Sequence, residues 1–283
     1  MDSGLITLAL PIALAIIMMG IGLELTLQDF KRVAKYPKAV VVALFCQLVI
    51  LTTIAFVITQ VLQLPPLLAI GMMLLAASPG GSTANLYSFL FKGDTALNIT
   101  LTALNSIIAV VSLPFIVNWA SQYFMPGSEQ LSLQFSKVIQ VFALVILPVS
   151  VGMIIRHFSP TFAKSMDKPV RIFSVIILVA VIMGALFKEK ENLLGYIQDV
   201  GLAAAIFCIA SLTIGYIVPR LLKIPVAQAR ASAFEIGIHN STLAMTIALS
   251  IMANATVAVP AAVYSIFMFI FAAIFGFIIT RIE

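Results

Sequence analysis

Nine apolar runs, most of them close to twenty residues long, are the feature that most constrains this chain. A helix needs about 20 apolar residues to cross the hydrocarbon core of a bilayer. Hydrophobic residues make up 62% of the 283 positions and charged residues only 10%, which is more apolar surface than a soluble domain can bury. We therefore predict an all-α polytopic membrane protein with nine transmembrane helices. The predicted spans are Leu5–Leu25, Ala39–Thr59, Pro66–Phe91, Thr95–Asn118, Phe135–Ile155, Arg171–Phe187, Val200–Val218, Ala231–Met252 and Val257–Thr280.

The basic residues of the chain fall mostly in alternate loops between these runs. Thirteen of the 16 Lys and Arg residues belong to one side of the membrane, and Lys137, Lys188 and Lys190 belong to the other. Because positively charged loops stay in the cytoplasm, an odd number of spans predicts an outside N-terminus and a cytoplasmic C-terminus. The first run is expected to remain as a signal anchor. Membrane orientation thus explains the excess of basic over acidic residues, and we expect no nucleic-acid partner.

Two of the runs repeat the same pattern. The third is entered through LQLPPLLAIG and reaches GGSTANL, whereas the eighth is entered through LKIPVAQARA and reaches HNSTLAM. Pro65 precedes Ser82 by 17 residues, and Pro225 precedes Ser241 by 16. The first copy enters the membrane from the outside and the second from the cytoplasm, so the two halves form an inverted repeat. Inverted repeats with one broken helix in each half are typical of secondary transporters.

Each copy also contains residues that interrupt a helix at membrane depth. The stretch SPGG at 78–81 cannot continue an α-helix, because Pro79 lacks an N–H and two glycines resist helical geometry. In the eighth run Gly237 gives a softer break, and Asn240 or Ser241 can cap the helix that follows. Where two such breaks cross, helix N-termini attract an anion and the freed carbonyls offer ligands to a cation.

Glu235 lies inside the eighth run and, of the eleven acidic residues, it alone has no segment end within reach. A carboxylate in the membrane interior is costly and by default marks an ion or substrate path. No Lys or Arg lies inside a run near that depth to neutralise it. A cation site beside an anion site predicts a cation-coupled carrier of an organic anion.

Other polar residues in the runs carry a weaker signal. Three of them share one face of the fourth run at spacing i, i+4 and i+7: Asn98, Thr102 and Asn105. Gln47 stands in the second run, where a single amide can equally serve to hold membrane helices together. Cys46 and Cys208 form no paired motif, and we interpret them as buried packing residues.

The chain resembles the bile acid–sodium symporter family in both interrupted stretches. The first reads ASPGGSTANL and is followed by KGD, and the second reads FEIGIHNSTLA. The stretch MGIGLELTLQDF at the end of the first run is similar to that family's MGxxL…DF stretch. The resemblance covers nearly the whole chain and implies a bacterial-type homologue with nine spans, in which two broken helices cross. It also implies a panel that moves against a core, with panel helices at about 5–25, 135–155 and 171–187 and core helices at about 39–118 and 200–280.

Two sodium sites follow from the resemblance. The first would use Asn85, Asn98, Thr102 and Glu235. The second would use Gln47, Glu235, Ile236, Ile238 and the residue at the second break, which is His239 where the family has glutamine. An amide oxygen suits Na⁺, whereas an imidazole nitrogen is a poorer ligand and can instead hold a proton. We therefore expect one or two Na⁺ ions, with the second site weakened or served by a protonated His239.

The substrate that the resemblance implies is an organic anion. Its carboxylate or sulfonate would lie at the N-termini of the two half-helices, near Gly81, Ser82, Thr83, Asn240 and Ser241. The last run carries Ile266-Phe267-Met268-Phe269, which predicts an apolar wall. A small carboxylate such as pantoate, or a bile-acid-like amphipathic anion, is favoured over a bile acid itself.

The sequence thus predicts a sodium-coupled symporter that works by alternating access in the plasma membrane, a bacterial inner membrane by expectation. Its partners would be a small organic anion and the lipid bilayer, and a monomer is the simplest assembly. The alternative is a proton-coupled or uncoupled organic-anion or efflux carrier of the same fold. An arsenite exporter would place a cysteine at the first break, where Ser78 stands. No enzyme activity is expected, since Glu235 and His239 lack an HExxH motif, paired aspartates or a Ser/Lys dyad.

Overall fold

The structure is a computed structural model that describes residues 25–81, 83–127, 135–166 and 193–282, with scattered residues between 12 and 23 and between 169 and 176. Every named element in these ranges is helical. The helices are α1 (Leu27–Lys31), α2 (Pro37–Phe45), α3 (Thr52–Val61), α4 (Pro66–Ala77), α5 (Thr83–Leu90), α6 (Thr95–Phe124), α7 (Phe135–Phe158), α8 (Leu193–Leu221), α9 (Val226–Gly237), α10 (Ser241–Thr246) and α11 (Ala255–Ile282). A 3₁₀ turn, Arg32–Ala34, follows α1, and two π-helical segments, Cys46–Leu51 and Ile247–Ile251, follow α2 and α10.

Four helical stretches are long and apolar enough to cross a membrane. They are Pro37–Val61, Thr95–Phe124, Gln198–Leu221 and Ala255–Ile282. These correspond to the second, fourth, seventh and ninth predicted spans, and α7 covers the fifth. The first and sixth predicted spans lie largely outside the described residues. The described part is therefore a polytopic helical membrane protein.

Both broken helices begin with the same turn. Gln63 and Lys223 end the preceding helices in the left-handed region, with φ of 48° and 59°. In each copy the next residue donates its N–H to a carbonyl five residues back, at 3.0 Å and 2.9 Å, which is the Schellman pattern of a helix C-terminus. Pro65 and Pro225 then start the new helices with φ of −50° and −53°. The repeated sequence pattern is thus a repeated backbone conformation.

The predicted interruptions are confirmed in both copies. The first broken helix consists of α4, which ends at Ala77, and α5, which begins at Thr83. The second consists of α9, which ends at Gly237, and α10, which begins at Ser241. Asn240 caps α10 as expected, because its side-chain oxygen accepts a hydrogen bond from the N–H of Leu243 at 3.0 Å.

The two interruptions cross and pair with each other. Gly80 and His239 form an isolated antiparallel bridge. The N–H of Gly81 donates to the carbonyl of Ile238 and the N–H of Asn240 donates to the carbonyl of Pro79, each at 2.8 Å. Unwound backbone within a membrane needs internal partners, since no water is available there. Each break therefore supplies hydrogen-bond partners to the other.

The crossing lies in the interior of the helix assembly. The last ten residues of α4 and the last nine of α9 are all buried. A helix that is buried on every side must be surrounded by other helices. Here α4 packs against α6 and α11, and α9 packs against α8, α6 and α5. The surrounding helices place the two breaks at the centre of the described part.

Candidate functional site

Glu235 lies in the last turn of α9 and is fully buried. The hydroxyl of Thr102 donates to one oxygen of its carboxylate at 2.6 Å, and the side-chain amide of Asn105 donates to the other at 3.0 Å. Both donors lie on α6, so this polar face of the fourth span turns inward. Among the described residues no Lys or Arg contacts the carboxylate. The donors seen in the described part are neutral groups.

Gly80 lets the first break approach this carboxylate. A Cβ on Gly80 would overlap the carboxylate of Glu235 and come close to its backbone carbonyl. Only a glycine permits an approach of that kind. The glycine of the first break and the glutamate of the second broken helix are thus in direct contact.

Several oxygen atoms around the crossing are buried and have no hydrogen-bond donor in the part of the chain that the structure describes. The side-chain oxygens of Asn85, Asn98 and Asn105 all belong to this group. The orientation of the Asn98 amide is set by its nitrogen, which donates to the carbonyl of Ala231 at 2.8 Å. An unsatisfied buried polar atom costs about 1–3 kcal/mol, so three of them need compensation. Oxygen atoms of amides, hydroxyls and carboxylates are the ligands of a hard cation, and these residues fit one.

Gln47 lies on the other side of the crossing. It belongs to the π-helical segment Cys46–Leu51, and π-helical turns occur often at functional sites. Its amide nitrogen donates to the carbonyl of Ser78 at 3.0 Å and lies 3.3 Å from the carbonyl of Ala76. A regular helix was predicted over Ala39–Thr59, and the sequence contains no signal for the extra residue in this turn.

His239 faces the same carbonyl. Its Nδ1 lies 3.2 Å from the oxygen of Ser78 and 3.5 Å from the amide nitrogen of Gln47. A carbonyl only accepts and an amide N–H only donates, so the role of Nδ1 depends on the tautomer, and the shorter contact favours a hydrogen on Nδ1. The ring stacks on Phe207 at 5.3 Å and meets Tyr264 edge-on at 5.4 Å. Its Nε2 is buried and has no partner among the described residues.

The other predicted ligands occupy the same region. Ile236 and Ile238 are fully buried, and the carbonyl of Ile238 already accepts the N–H of Gly81. No hydrogen bond in the described part joins Asn85 directly to Glu235, although Asn85 lies in the first turn of α5 and Gly80 precedes that turn. The structure thus brings together Glu235, Thr102 and Asn105 on one side of the bridge, and Gln47 and His239 on the other.

The residues predicted to bind the anion differ in how many of their N–H and hydroxyl groups already have hydrogen-bond partners. The N–H groups of Gly81 and Asn240 are used in the bridge, and the N–H of Ser241 donates to the carbonyl of His239 at 2.9 Å. The hydroxyl of Ser241 points to the sulfur of Met268 at 3.8 Å. Thr83 begins α5 and is partly exposed. Ser82 lies outside the described residues.

Sequence reasoning did not assign three residues of the site. Asn105 contacts Glu235 directly, and its place on the face shared with Asn98 and Thr102 was the available signal. Gly80 was interpreted only as a helix breaker. Tyr264 donates its hydroxyl to the carbonyl of Gly237 at 2.8 Å, and a lone tyrosine in an apolar run gives no signal of that contact.

Comparison with known proteins finds relatives that include sodium-dependent transporters and cotransporters. Residues 11–196 match the Sodium Bile acid symporter family. The chain is 32% identical to the uncharacterized sodium-dependent transporter YocS of Bacillus subtilis, over 90% of this chain and 78% of that protein. It is 29% identical to the probable chloroplastic sodium/metabolite cotransporter BASS1 of Arabidopsis thaliana, over 90% of this chain and 62% of that protein. It is 27% identical to the human ileal sodium/bile acid cotransporter, over 96% of this chain and 79% of that protein.

Proposed function

The chain belongs to the Sodium Bile acid symporter family, and on that premise we propose that it is a sodium-coupled symporter of an organic anion. These relatives are transporters, which agrees with the prediction from the sequence that the chain is not an enzyme. The observation that carries the proposal is the environment of Glu235. This fully buried carboxylate is contacted by neutral donors, in a region where amide oxygens are left without donors.

Sodium would be a transported co-substrate at this place. The proposed ligands of the first ion are Asn85, Asn98, Thr102, Asn105 and Glu235. The negative charge of Glu235 would offset the dehydration of the ion, and the unpartnered amide oxygens would replace its water. The ligands come from both broken helices and from α6. Binding of Na⁺ would therefore stabilise the arrangement in which these three elements meet.

We further propose that one Na⁺ is carried in each cycle. The freed carbonyl of Ser78 accepts from the amide of Gln47 at 3.0 Å, and Nδ1 of His239 faces it at 3.2 Å. In the tautomer that carries its hydrogen on Nδ1, two N–H donors converge on this oxygen, so a second cation there would meet hydrogens instead of lone pairs. The buried side-chain oxygen of Gln47 would be left as a ligand for it. With one Na⁺ for each monoanion the net charge moved would be zero.

The substrate is proposed to be a small organic anion with a carboxylate or sulfonate group. Its anionic group would lie at the start of α5, near Gly81, Ser82 and Thr83, because the N-terminus of a helix favours negative charge. Asn240 and Ser241 would line the opposite side. Met268 contributes apolar surface beside Ser241, which favours a partly apolar molecule. A small metabolite carboxylate such as pantoate suits this chemistry better than a bile acid.

Binding of Na⁺ and binding of the anion would be coupled because both would use the first turn of α5. Asn85 is a proposed Na⁺ ligand in the first turn of α5, and the same turn would hold the anion. Fixing this turn through Na⁺ would lower the entropic cost of binding the anion. Alternating access would then expose the pair on one side and the other, as a panel of spans one, five and six moves against the remaining core. A proton-coupled carrier of the same fold is the alternative.

The test is a thermal-stability screen of the purified full chain in Na⁺ or K⁺, with small carboxylates, sulfonates and bile salts. We expect melting temperature to rise with Na⁺, and at least one organic anion to add stabilisation only when Na⁺ is present. Glu235→Gln should remove both responses. The control is Asp199→Asn, which removes an exposed carboxylate at the start of α8 and should keep both.

Two outcomes would contradict the proposal. Equal stabilisation by an anion in Na⁺ and in K⁺ would favour the proton-coupled or uncoupled carrier. A Glu235→Gln variant that folds and keeps the full Na⁺ response would remove Glu235 from the site.

A further inference from the structure

The last helix, α11, presents one face to both broken helices. Residues spaced four apart lie on this face: Pro260, Tyr264 and Met268. The ring of Pro260 lies against Gly71 of α4. The hydroxyl of Tyr264 contacts Gly237 of α9, and the sulfur of Met268 contacts Ser241 of α10. A spacing of i, i+4, i+8 keeps three side chains on one side of a helix. A single helix face therefore touches three of the four half-helices.

Tyr264 makes the central contact of this face. It is fully buried, and its hydroxyl donates to the carbonyl of Gly237 at 2.8 Å. Gly237 is the last residue of α9, so the helix break leaves its carbonyl without a backbone donor. An unsatisfied carbonyl in a membrane interior costs several kcal/mol. The hydroxyl of Tyr264 thus stabilises the interrupted conformation itself.

The ring of Tyr264 makes a second contact with the same break. It packs edge-on against His239 at 5.4 Å and at a tilt against Phe207 at 5.8 Å, while His239 stacks on Phe207. Tyr264 therefore holds the break at residue 237 through its hydroxyl and at residue 239 through its ring. Glu235 lies two residues before the first of these points.

We propose that Tyr264 is a positioning residue for sodium coupling. Its hydroxyl, held in place by the packing of its ring against Phe207 and His239, fixes the peptide that follows the last turn of α9. This fixes the direction of the Glu235 carboxylate and of the neighbouring carbonyls. Tyr264 itself does not touch the ion. The inference rests on the proposed function, because it assigns to Tyr264 the Na⁺ affinity of that same site.

The test is Tyr264→Phe, which keeps the ring against His239 and removes only the hydroxyl. We expect the Na⁺ concentration for half-maximal thermal stabilisation to rise about tenfold, as loss of one buried hydrogen bond implies. At saturating Na⁺ the KM for the anion should stay near that of the wild type. The matched control is Tyr87→Phe, which removes a hydroxyl that also donates to a carbonyl of α11, that of Phe269, at 2.9 Å. This control should leave the Na⁺ requirement unchanged.

A Tyr264→Phe protein that melts at a lower temperature but needs the same Na⁺ concentration would overturn the inference, since the hydrogen bond would then be structural only. If this variant does not fold, Phe207→Leu replaces it. That variant keeps the hydroxyl and removes the ring that supports Tyr264 and His239. A rise of about threefold or more in the Na⁺ requirement supports the inference, and no change overturns it. If the wild type shows no Na⁺ response, the proposed function and the inference both fail. If the wild type does respond to Na⁺, the result for the Tyr264 variant tests the inference by itself.

Discussion

Gly80 and His239 form a two-residue antiparallel bridge where two interrupted helices cross. Two backbone hydrogen bonds of 2.8 Å flank the bridge, one in each direction. On one side Gly80 faces the carboxylate of Glu235, and on the other the ring of His239 reaches the carbonyl of Ser78. A single backbone pairing therefore sets the distance between the proposed cation site and the cluster around Gln47.

Gly80→Ala should destabilise the crossing and weaken Na⁺ binding. The added methyl would overlap the Glu235 carboxylate, and forcing extra volume into a packed site costs about 1–3 kcal/mol. Differential scanning fluorimetry of the purified protein with increasing Na⁺ measures both effects. The steric comparison is Gly81→Ala, whose methyl would have no neighbour closer than 3.5 Å and should leave the melting temperature in K⁺ nearly unchanged. Equal losses in the two variants would argue against close contact at Gly80.

Asn105→Ala should reduce Na⁺ affinity by about 10–100-fold, because it removes a donor to Glu235 together with a free amide oxygen. Binding of Na⁺ can be followed by isothermal calorimetry or by the Na⁺ dependence of the melting temperature. Ser106→Ala is the control on the same helix, since the hydroxyl of Ser106 donates back to the carbonyl of Thr102 at 2.7 Å and forms no hydrogen bond with Glu235 in the described part. If both variants bind Na⁺ as the wild type does, Asn105 is not part of the site.

His239→Gln should add a second cation to the transport cycle. The change removes the imidazole N–H from the carbonyl of Ser78 and supplies an amide oxygen, which suits Na⁺ better than an imidazole does. Uptake into proteoliposomes should become dependent on membrane potential, at about 2.3 kcal/mol for each net charge per 100 mV. Wild-type uptake of a monoanion should not depend on potential. Electrogenic uptake by the wild type would contradict the proposal of one Na⁺.

Gln63→Cys and Lys223→Cys should label from opposite sides of the membrane. The two residues occupy equivalent left-handed turns before the two broken helices, and both are exposed. A membrane-impermeant maleimide added to intact cells should modify the cysteine at 63 and spare the one at 223, which should react only after permeabilisation. The native Cys46 and Cys208 are fully buried and give a low background. Labelling of both positions from one side would contradict the inverted repeat.

Several parts of the structure were predictable because their signals are local in the chain. Run length predicts helices that cross a membrane, and the SPGG stretch predicts a break because proline and glycine resist helical geometry wherever they stand. The two leading prolines, Pro65 and Pro225, predicted that both broken helices are interrupted at a similar depth. The cost of a charge in hydrocarbon singled out Glu235 without any knowledge of its neighbours.

Other parts depend on which helix faces meet, and no local pattern fixes that. Asn105 reaches Glu235 across 130 residues of chain, and Tyr264 reaches Gly237 across 27. The π-helical turn that carries Gln47 has no sequence signal, since one extra residue in a turn is stabilised by contacts with neighbouring helices. The sequence by itself determined that the chain spans a membrane, where its helices break and which carboxylate is unusual. Only the tertiary structure decided that the breaks pair through Gly80 and His239, because that pairing satisfies backbone groups that water cannot reach.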